Sequence, residues 1–231
     1  KDDQLNIYFA RANILHKHKN YEESAKCLKL ANQLKIEIHP SNSDILIKKS
    51  KLLLLESDRA DFITEKQINY PQNIFIVGMP RSGSTLVESI TSLNNKVIDL
   101  GEINILEESF AKWKESKNKV DLINVYQQKI NKKTQLNIIT NKWLYNYQYS
   151  GIIAKCIPNS KIIHCYRNPL DNIHSIYRAN FAAGNEYSSS LIDCAKVYLD
   201  QEELMSKYKN KFGSKIYNLN YELLVSNPIK E

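Results

Sequence analysis

A short apolar segment that runs directly into a glycine-bearing loop constrains this chain more than any other feature of its sequence. Residues 74–77 (IFIV) form a continuous β-rich run of the kind that is buried on both faces of a parallel sheet. Residues 78–85 (GMPRSGST) follow, and a helical pattern begins at Thr85. Such a loop presents consecutive backbone N–H groups and the positive end of a helix dipole, a combination that binds phosphate. We therefore predict a phosphate site at the carboxyl end of this strand.

The loop lacks the lysine of the phosphate loop in nucleoside triphosphatases. Its pattern is Gly-x-x-x-x-Gly followed by Ser84 and Thr85, so Ser84 stands where that lysine would be. The lysine of a Walker loop contacts the β- and γ-phosphates, and the next Ser or Thr binds Mg²⁺. Here the fixed cation has to come from Arg81, which favours a different anionic ligand. An ordinary glycine-containing turn between a strand and a helix is the alternative interpretation.

Three further strand patterns alternate with helical patterns after this loop. Strands are predicted at 136–140, 161–166 and 215–219, and helices at 85–93, 104–113, 120–130, 145–156, 170–181 and 191–209. Parallel neighbours need crossover helices, so this succession predicts an α/β, P-loop-like three-layer domain with a mainly parallel sheet. In such sheets ligands bind at the carboxyl ends of the strands.

The stretch from about Leu5 to Ile63 has a helical pattern throughout. Apolar residues recur at three- and four-residue spacing on both sides of Asn20 and Tyr21, which predicts a helical hairpin, and a further helix is predicted from Asp44. The alternation of large and small residues resembles one tetratricopeptide (TPR) unit of about 34 residues, in which small side chains let two helices approach closely. The proline that usually ends such a unit is missing, and a generic helical pair is the alternative.

Composition and charge fit one domain with an appendage, or two small domains. The chain has 231 residues, of which 42% are hydrophobic and 25% are charged, and this excludes wholesale disorder and fibrous structure. We assign residues 1–66 to an all-α, TPR-like segment and residues 67–231 to the α/β domain. The net charge of +7 favours anionic partners without deciding between nucleic acid, a phospholipid headgroup and a phosphorylated small molecule.

Nothing in the sequence indicates secretion, a membrane span or a metal site. No run approaches the roughly 18 apolar residues of a transmembrane helix, and no apolar core follows Lys1. The four cysteines include no C-x-x-C pair, the histidines lack zinc-ligand spacing, and no N-glycosylation sequon occurs. These observations predict a protein of a reducing, cytoplasmic compartment without a metal centre.

Residues 74–88 resemble a known nucleotide-binding motif. The stretch is similar to the 5′-phosphosulfate loop of the sulfotransferases that use 3′-phosphoadenosine-5′-phosphosulfate (PAPS) as donor. It is most similar to the bacterial group that carries TPR repeats before the catalytic domain, a group related to the tyrosylprotein sulfotransferases. The resemblance implies that the 5′ end of the donor is bound by Arg81, Ser82, Gly83, Ser84 and Thr85.

A second stretch, residues 161–175, resembles the 3′-phosphate motif of the same family. A strand ends at Arg167, a turn follows, and the next helix carries Ser175 about two turns in. An arginine at the end of a strand can bind phosphate through two N–H groups, and a nearby hydroxyl can donate to the same group. The resemblance implies that Arg167, Ser175 and Tyr221 bind the donor. It also implies final helices after Pro228, which this chain lacks.

Sulfuryl transfer to a hydroxyl also needs a cation at the leaving phosphate and a base for the acceptor proton. Lys142, just after a predicted strand, matches the position of a family lysine, which with Arg81 would stabilise the leaving phosphate. Glu102 matches the glutamate that accepts the proton in tyrosylprotein sulfotransferases. A surface lysine and a glutamate that caps the following helix are the alternative interpretations.

Other residues near these motifs have structural interpretations. His164 lies inside a strand pattern and His174 lies beside Ser175, so we expect packing or hydrogen bonding from both rather than acid–base chemistry. Asp171 is expected in the first turn of a helix, where it complements the dipole. Trp113 and Trp143 are expected in the core or in a pocket wall, where either could stack on adenine.

Together these features predict a sulfotransferase that moves a sulfuryl group from PAPS to a hydroxyl acceptor and releases 3′,5′-adenosine bisphosphate (PAP), with no metal. The acceptor could be a protein tyrosine, a glycan or a small molecule, and a protein or peptide could dock through the TPR-like segment; no nucleic acid partner is expected. A nucleotide-dependent kinase and a non-catalytic TPR interaction protein are the rival functions. The kinase is disfavoured because no lysine follows Gly83 and no clear Mg²⁺-binding carboxylate ends a strand.

Overall fold

A computed structural model describes residues 2–61, 70–116, 121–130 and 138–230. The chain divides into two compact units. The first contains the described residues up to Lys48 together with Asn168–Asp200, and the second contains the other described residues up to Arg167 and those from Gln201 onward. The predicted boundary between residues 66 and 67 lies outside the described residues and stays a prediction.

Helices account for most of the described chain. In chain order the α-helices are α1 (Asp2–Lys17), α2 (Tyr21–Ile38), α3 (Asp44–Arg59), α4 (Ser84–Thr91), α5 (Ile105–Glu115), α6 (Leu122–Ile130), α7 (Ser150–Cys156), α8 (Pro169–Tyr177), α9 (Leu191–Phe212) and α10 (Tyr221–Ser226). Short 3₁₀ helices span Leu144–Tyr149 and Glu186–Ser189. The described residues contain no helix with the length and apolar character needed to cross a lipid bilayer.

The first unit contains the predicted helical hairpin. Small residues lie where α1 and α2 meet: Ala12 and Ala31 are buried among the larger apolar side chains of the two helices. The hydroxyl of Ser24 on α2 donates to the carbonyl oxygen of Ala12 on α1 at 2.7 Å. Asn20 caps α2, since its side chain accepts a hydrogen bond from the N–H of Glu23. A helical segment at this end of the chain is confirmed, and its kinship to TPR units stays a prediction.

The second unit is built on a parallel sheet. Its strands are β1 (Gln72–Gly78), β2 (Val97–Asp99), β3 (Ile138–Asn141), β4 (Ser160–Tyr166) and β5 (Ile216–Asn220). They lie in the order β2-β3-β1-β4-β5, and every neighbouring pair is parallel. The predicted α/β fold with a parallel sheet is confirmed, and β1, which precedes the glycine-bearing loop, is the central strand.

Alternate side chains of β1 enter different apolar clusters. Phe75 and Val77 pack in a cluster that includes residues of α5, α6, α7 and α9. Ile76 packs in another cluster with Val87 of α4 and Leu224 of α10. Because alternate residues of a strand point to opposite faces, helices cover both faces of the sheet, as the three-layer prediction requires.

Several elements differ from the sequence-based prediction, which includes neither α10 nor the 3₁₀ helix Glu186–Ser189 and extends α8 to residue 181, past its end at Tyr177. The pattern does not predict β2, whose three residues are partly exposed at the edge of the sheet. The helix predicted at 145–156 is divided into a 3₁₀ helix and α7. The side-chain oxygen of Asn141 accepts hydrogen bonds from the backbone N–H of Trp143 and from the side-chain amide of Asn146, and these bonds fix a tight first turn. Parts of the predicted elements at 44–63, 120–130 and 136–140 lie outside the described residues.

Candidate functional site

The segment after β1 has the backbone of an anion-binding loop. Gly78 has a φ of 144°, and a Cβ at this position would lie 2.3 Å from the carbonyl oxygen of Cys165 on β4. Gly83, the residue immediately before α4, has a φ of 92°. Arg81 adopts a φ of 69°, which is uncommon for a residue other than glycine. Backbone strain of this kind is typical of functional loops.

The hydroxyl of Ser82 is buried in this loop and has no hydrogen-bond partner among the described residues. Ser82 is 1% exposed, and an unpaired buried hydroxyl costs about 1–3 kcal/mol. The first N–H groups of α4 also lack acceptors within their own helix. These donors fit an anionic group, which would supply the missing acceptors.

Arg167 lies beside the loop. Its Nη1 donates to the carbonyl oxygen of Arg81 at 3.5 Å, and its guanidinium carbon lies 4.7 Å from the ring centroid of Tyr221. Its Nε lies 3.8 Å from a carboxylate oxygen of Glu222. The ring of Tyr221 also faces Gly83, where a Cβ would lie 2.3 Å from its Cδ2. The structure thus brings together residues from both sequence motifs, and glycine at position 83 leaves room for the tyrosine ring.

Lys142, which follows β3, lies among charged side chains. Its Nζ is 2.8 Å from Oε1 of Glu102, 2.9 Å from Oε2 of Glu88 and 3.2 Å from Oγ1 of Thr85. The side chains of Lys142 and Glu88 are 5% and 12% exposed, whereas that of Glu102 is 59% exposed. Three of the sequence-predicted site residues therefore meet here. Glu88 was not among the predicted site residues, because a glutamate early in a helix usually faces solvent.

The backbone holds Glu102 close to Lys142. Pairing between β2 and β3 continues past the strand ends, because the N–H of Leu100 donates to the carbonyl of Thr140 at 2.9 Å and the N–H of Lys142 donates to that of Gly101 at 3.1 Å. The carboxyl ends of these parallel neighbours meet at one edge of the sheet. The side chains that follow them are therefore adjacent, as the topology requires.

The environment changes the proton affinities of two of these groups. Burial alone would lower the pKa of Lys142, but its ion pairs with Glu102 and Glu88 outweigh burial and raise it. Burial raises the pKa of Glu88; Lys142 opposes this effect, and the neighbouring carboxyl of Asp99 adds to it. Lys142 is thus a lasting cation, and Glu88 keeps its proton to a higher pH than an ordinary glutamate.

Ser175 lies on α8 in the first unit, and its role at the donor stays a prediction. The side chain of Asn168 caps this helix by accepting hydrogen bonds from the N–H groups of Leu170 and Asp171 at 3.0 and 3.3 Å. Asp171 lies in the first turn of α8, where the sequence places it. The ring of His174 lies 6.5 Å from that of His16, which fits a packing role.

His164 is buried within β4. One of its ring nitrogens lies 2.6 Å from Nε2 of Gln201 on α9, and burial lowers its pKa to about 4. The ring is therefore neutral at physiological pH and fits the expected structural role. Trp113 packs against Phe110 in the core, with ring centroids 5.6 Å apart. In the described ranges no group of three or more His, Cys, Asp or Glu side chains could hold a metal ion.

One protein-family model matches part of the chain. The model of the Sulfotransferase family matches residues 119–231. The match supports a sulfotransferase. The matched residues include Lys142, Arg167 and Tyr221, and the glycine-bearing loop precedes them.

The individual proteins that match this chain have low sequence identity to it. An uncharacterized protein of Aquifex aeolicus (strain VF5) is 26% identical over 255 residues, an alignment that covers 99% of this chain and 33% of the relative. The chain thus spans about a third of the length of the curated relative it matches. Among solved structures, the crystal structure of shikimate kinase from Bacteroides thetaiotaomicron is similar with a TM-score of 0.37 and 12% identity, over 64% of this chain and 86% of that one. A likeness at this level carries no conclusion about function.

Proposed function

We propose that this protein transfers a sulfuryl group from PAPS to a hydroxyl-bearing acceptor. The observation that carries the proposal is the position of Arg167, which contacts the carbonyl oxygen of Arg81 and covers the ring of Tyr221. An arginine from each of two separate motifs therefore lies at one edge of the sheet. PAPS has phosphate groups at both its 3′ and 5′ ends and needs two such anchors. The family match of residues 119–231 supports the same chemistry.

The anchoring roles follow from burial and donor type. The loop residues Arg81, Ser82, Gly83, Ser84 and Thr85 would bind the 5′ phosphosulfate end through hydroxyls, backbone N–H groups and the guanidinium. Arg167 would bind the 3′-phosphate, with Tyr221 holding its guanidinium plane in place. Ser175 joins this set through the sequence resemblance.

The transfer step exchanges one sulfur–oxygen bond for another. The bond from sulfur to the bridging phosphate oxygen breaks, and a bond from sulfur to the acceptor oxygen forms. Lys142 and Arg81 would stabilise the electron pair left on the phosphate, and Glu102 would accept the proton of the acceptor hydroxyl. This scheme assigns charge stabilisation to side chains of the protein. A protein tyrosine, a glycan or a small molecule could serve as acceptor, and both a peptide-docking role for the TPR-like segment and a cytoplasmic location belong to the proposal.

Calorimetric titration with PAP and with ATP·Mg²⁺ tests the nucleotide assignment. We expect PAP to bind and ATP·Mg²⁺ to give little response. Arg81→Ala and Arg167→Ala should each weaken PAP binding by roughly 10- to 100-fold, because each removes charge-assisted hydrogen bonds to phosphate. Arg59→Ala, at the exposed end of α3, is the matched control and should bind PAP like the parent protein.

Two outcomes would contradict the proposal. Equal affinity for PAP and ATP·Mg²⁺ would favour a kinase-like nucleotide site. PAP binding that is indifferent to Arg167→Ala would separate the second motif from the donor site. Either result would leave the α/β fold intact and remove its assigned chemistry.

A further inference from the structure

Carboxyl groups surround Lys142 at the edge of the proposed donor site, where an anionic ligand would meet their charge. Lys142 has carboxyl groups of Glu88 and Glu102 within 2.9 Å, and Asp99 contacts Glu88 in turn. Fully ionised, this group has three negative charges and one positive charge. It adjoins the phosphate loop directly, since Thr85 of that loop lies 3.2 Å from Nζ of Lys142.

Glu88 is the member of this group that cannot move its charge into water. Its side chain is 12% exposed, whereas that of Glu102 is 59% exposed and can turn toward solvent. Oε2 of Glu88 accepts from Lys142, but Oε1 is buried and accepts no hydrogen bond from any described residue. The neighbouring carboxyl of Asp99 has no proton to donate while both groups are ionised. A proton on Glu88 would convert this carboxyl contact into a hydrogen bond.

Resting on the proposed function, we infer that Glu88 takes up a proton when the anionic donor binds at the loop, so that Lys142 is freed from one of its two anions to face the donor phosphate. A bound polyanion raises the free energy of any nearby carboxylate, most of all one that is shielded from water. Burial already raises the pKa of Glu88 before any ligand binds, with Asp99 adding to the effect and Lys142 opposing it. Glu88 is thus a positioning residue, because it acts on the donor through Lys142.

Four elements contribute groups that face or adjoin Glu88. Thr85 shares α4 with it, Asp99 ends β2, Glu102 lies in the segment after β2, and Lys142 follows β3. Lys142 keeps its proton, because its ion pairs raise its pKa. Among these groups Glu88 combines burial, a raised pKa and an oxygen without a donor, so we assign the proton to it.

Binding that takes up a proton becomes weaker as pH rises. By linkage, the affinity falls by up to about tenfold per pH unit between the pKa of Glu88 in the free protein and its value in the complex. Glu88→Gln holds a neutral side chain of the same shape at every pH. This variant should therefore bind PAP with a flatter pH dependence, and more tightly than the parent protein at the alkaline end.

The experiment is PAP titration by calorimetry at pH 7 in buffers of different ionisation enthalpy, which counts the protons taken up on binding. The parent protein should take up more protons than Glu88→Gln, by up to one per site. Titration of the phosphates of PAP is common to both proteins and cancels in the difference. Glu108→Gln, on the surface of α5, is the matched control and should take up as many protons as the parent protein.

A second variant covers the case in which Glu88→Gln does not fold. Asp99→Asn removes the carboxyl that favours protonation of Glu88, and it should reduce the proton uptake. Equal uptake in the parent protein and in whichever variant folds would overturn this inference and leave the proposed function standing. Failure of PAP to bind any of these proteins would overturn both.

Discussion

Lys142 and His164 are both almost completely buried in the second unit, yet one keeps its charge and the other loses it. Their side chains are 5% and 4% exposed. Two carboxylate oxygens lie 2.8 and 2.9 Å from Nζ of Lys142. The ring of His164 lies next to the amide of Gln201 at 2.6 Å, and the nearest carboxylate oxygen, from Glu202, is 3.6 Å away. Burial lowers the pKa in both places, and only at Lys142 do ion pairs reverse it.

The difference separates the proposed catalytic charge from a structural side chain. Burial without a carboxylate at hydrogen-bond distance leaves the ring of His164 neutral, and it packs like any other core residue. Burial with carboxylate partners keeps Lys142 charged beside a loop in which the Ser82 hydroxyl has no hydrogen-bond partner among the described residues, a combination typical of functional sites. Lys142 and His164 are therefore buried to a similar extent, but Lys142 is charged and His164 is neutral.

Removal of the Lys142 charge should produce the largest effect. In Lys142→Met we expect donor turnover to fall roughly 100- to 1000-fold, because the leaving phosphate loses its nearest fixed cation. The assay incubates the protein with PAPS and a panel of hydroxyl acceptors and measures the PAP released by chromatography. Lys129→Met, which breaks an ion pair on the surface of α6, is the control. Turnover within tenfold of that of the parent protein would mean that Lys142, like His164, has a structural role and not a catalytic one.

The His164 group should instead control stability in acid. The pKa of His164 is about 4 in the folded protein against 6.5 ordinarily, so the unfolded chain binds more protons and the free energy of unfolding falls as pH decreases from 6.5 through 4. The full loss attributable to this residue is about 3 kcal/mol. Chemical unfolding at intervals between pH 7 and 4, with His18→Gln at an exposed site as control, measures it. A stability that is flat over this range would contradict the lowered pKa of His164.

Glu88 should change stability in the opposite direction. Its pKa is raised in the folded protein, so the folded protein binds more protons than the unfolded chain, and the free energy of unfolding falls as pH rises through the raised value. In Glu88→Gln the free energy of unfolding lacks this decrease. The stability of the variant relative to the parent protein should therefore increase from pH 4 to pH 8. The effect should be smaller than that of His164, because Lys142 offsets part of the cost of ionising Glu88. A relative stability that decreases over the same range would contradict the raised pKa.

The sheet was predictable because its strands are marked by apolar runs. Residues 74–77 and 161–166 are rich in β-branched and aromatic side chains and lie within β1 and β4. β2 has three residues at the edge of the sheet, which are only partly buried, so no run distinguishes it from a loop. Edge strands of this length have no local signal, because their pairing with β3 is what defines them.

Residues of the candidate site were predicted where a sequence motif or the family resemblance marks them. Lys142 follows β3, which the apolar pattern predicts, whereas Glu102 follows β2, which it does not predict, so the resemblance alone indicated Glu102. Glu88 has no such signal, because a glutamate early in a helix usually faces solvent. Its burial depends on Lys142, which comes from a distant strand, and spacing along the chain does not encode that contact.

An exposed ion pair should give the smallest effect and sets the scale for the others. Glu108 and Lys129 approach within 2.6 Å, but their side chains are 60% and 31% exposed. Water and salt screen such a pair, so Glu108→Gln should change the free energy of unfolding by less than about 0.5 kcal/mol, and by less still in 1 M salt. Chemical unfolding at both salt concentrations measures this. A loss of about 3 kcal/mol, as large as the acid effect at His164, would mean that an ion pair stabilises the protein even when water reaches it. The difference between Lys142 and His164 would then depend on the distance to a carboxylate and not on burial.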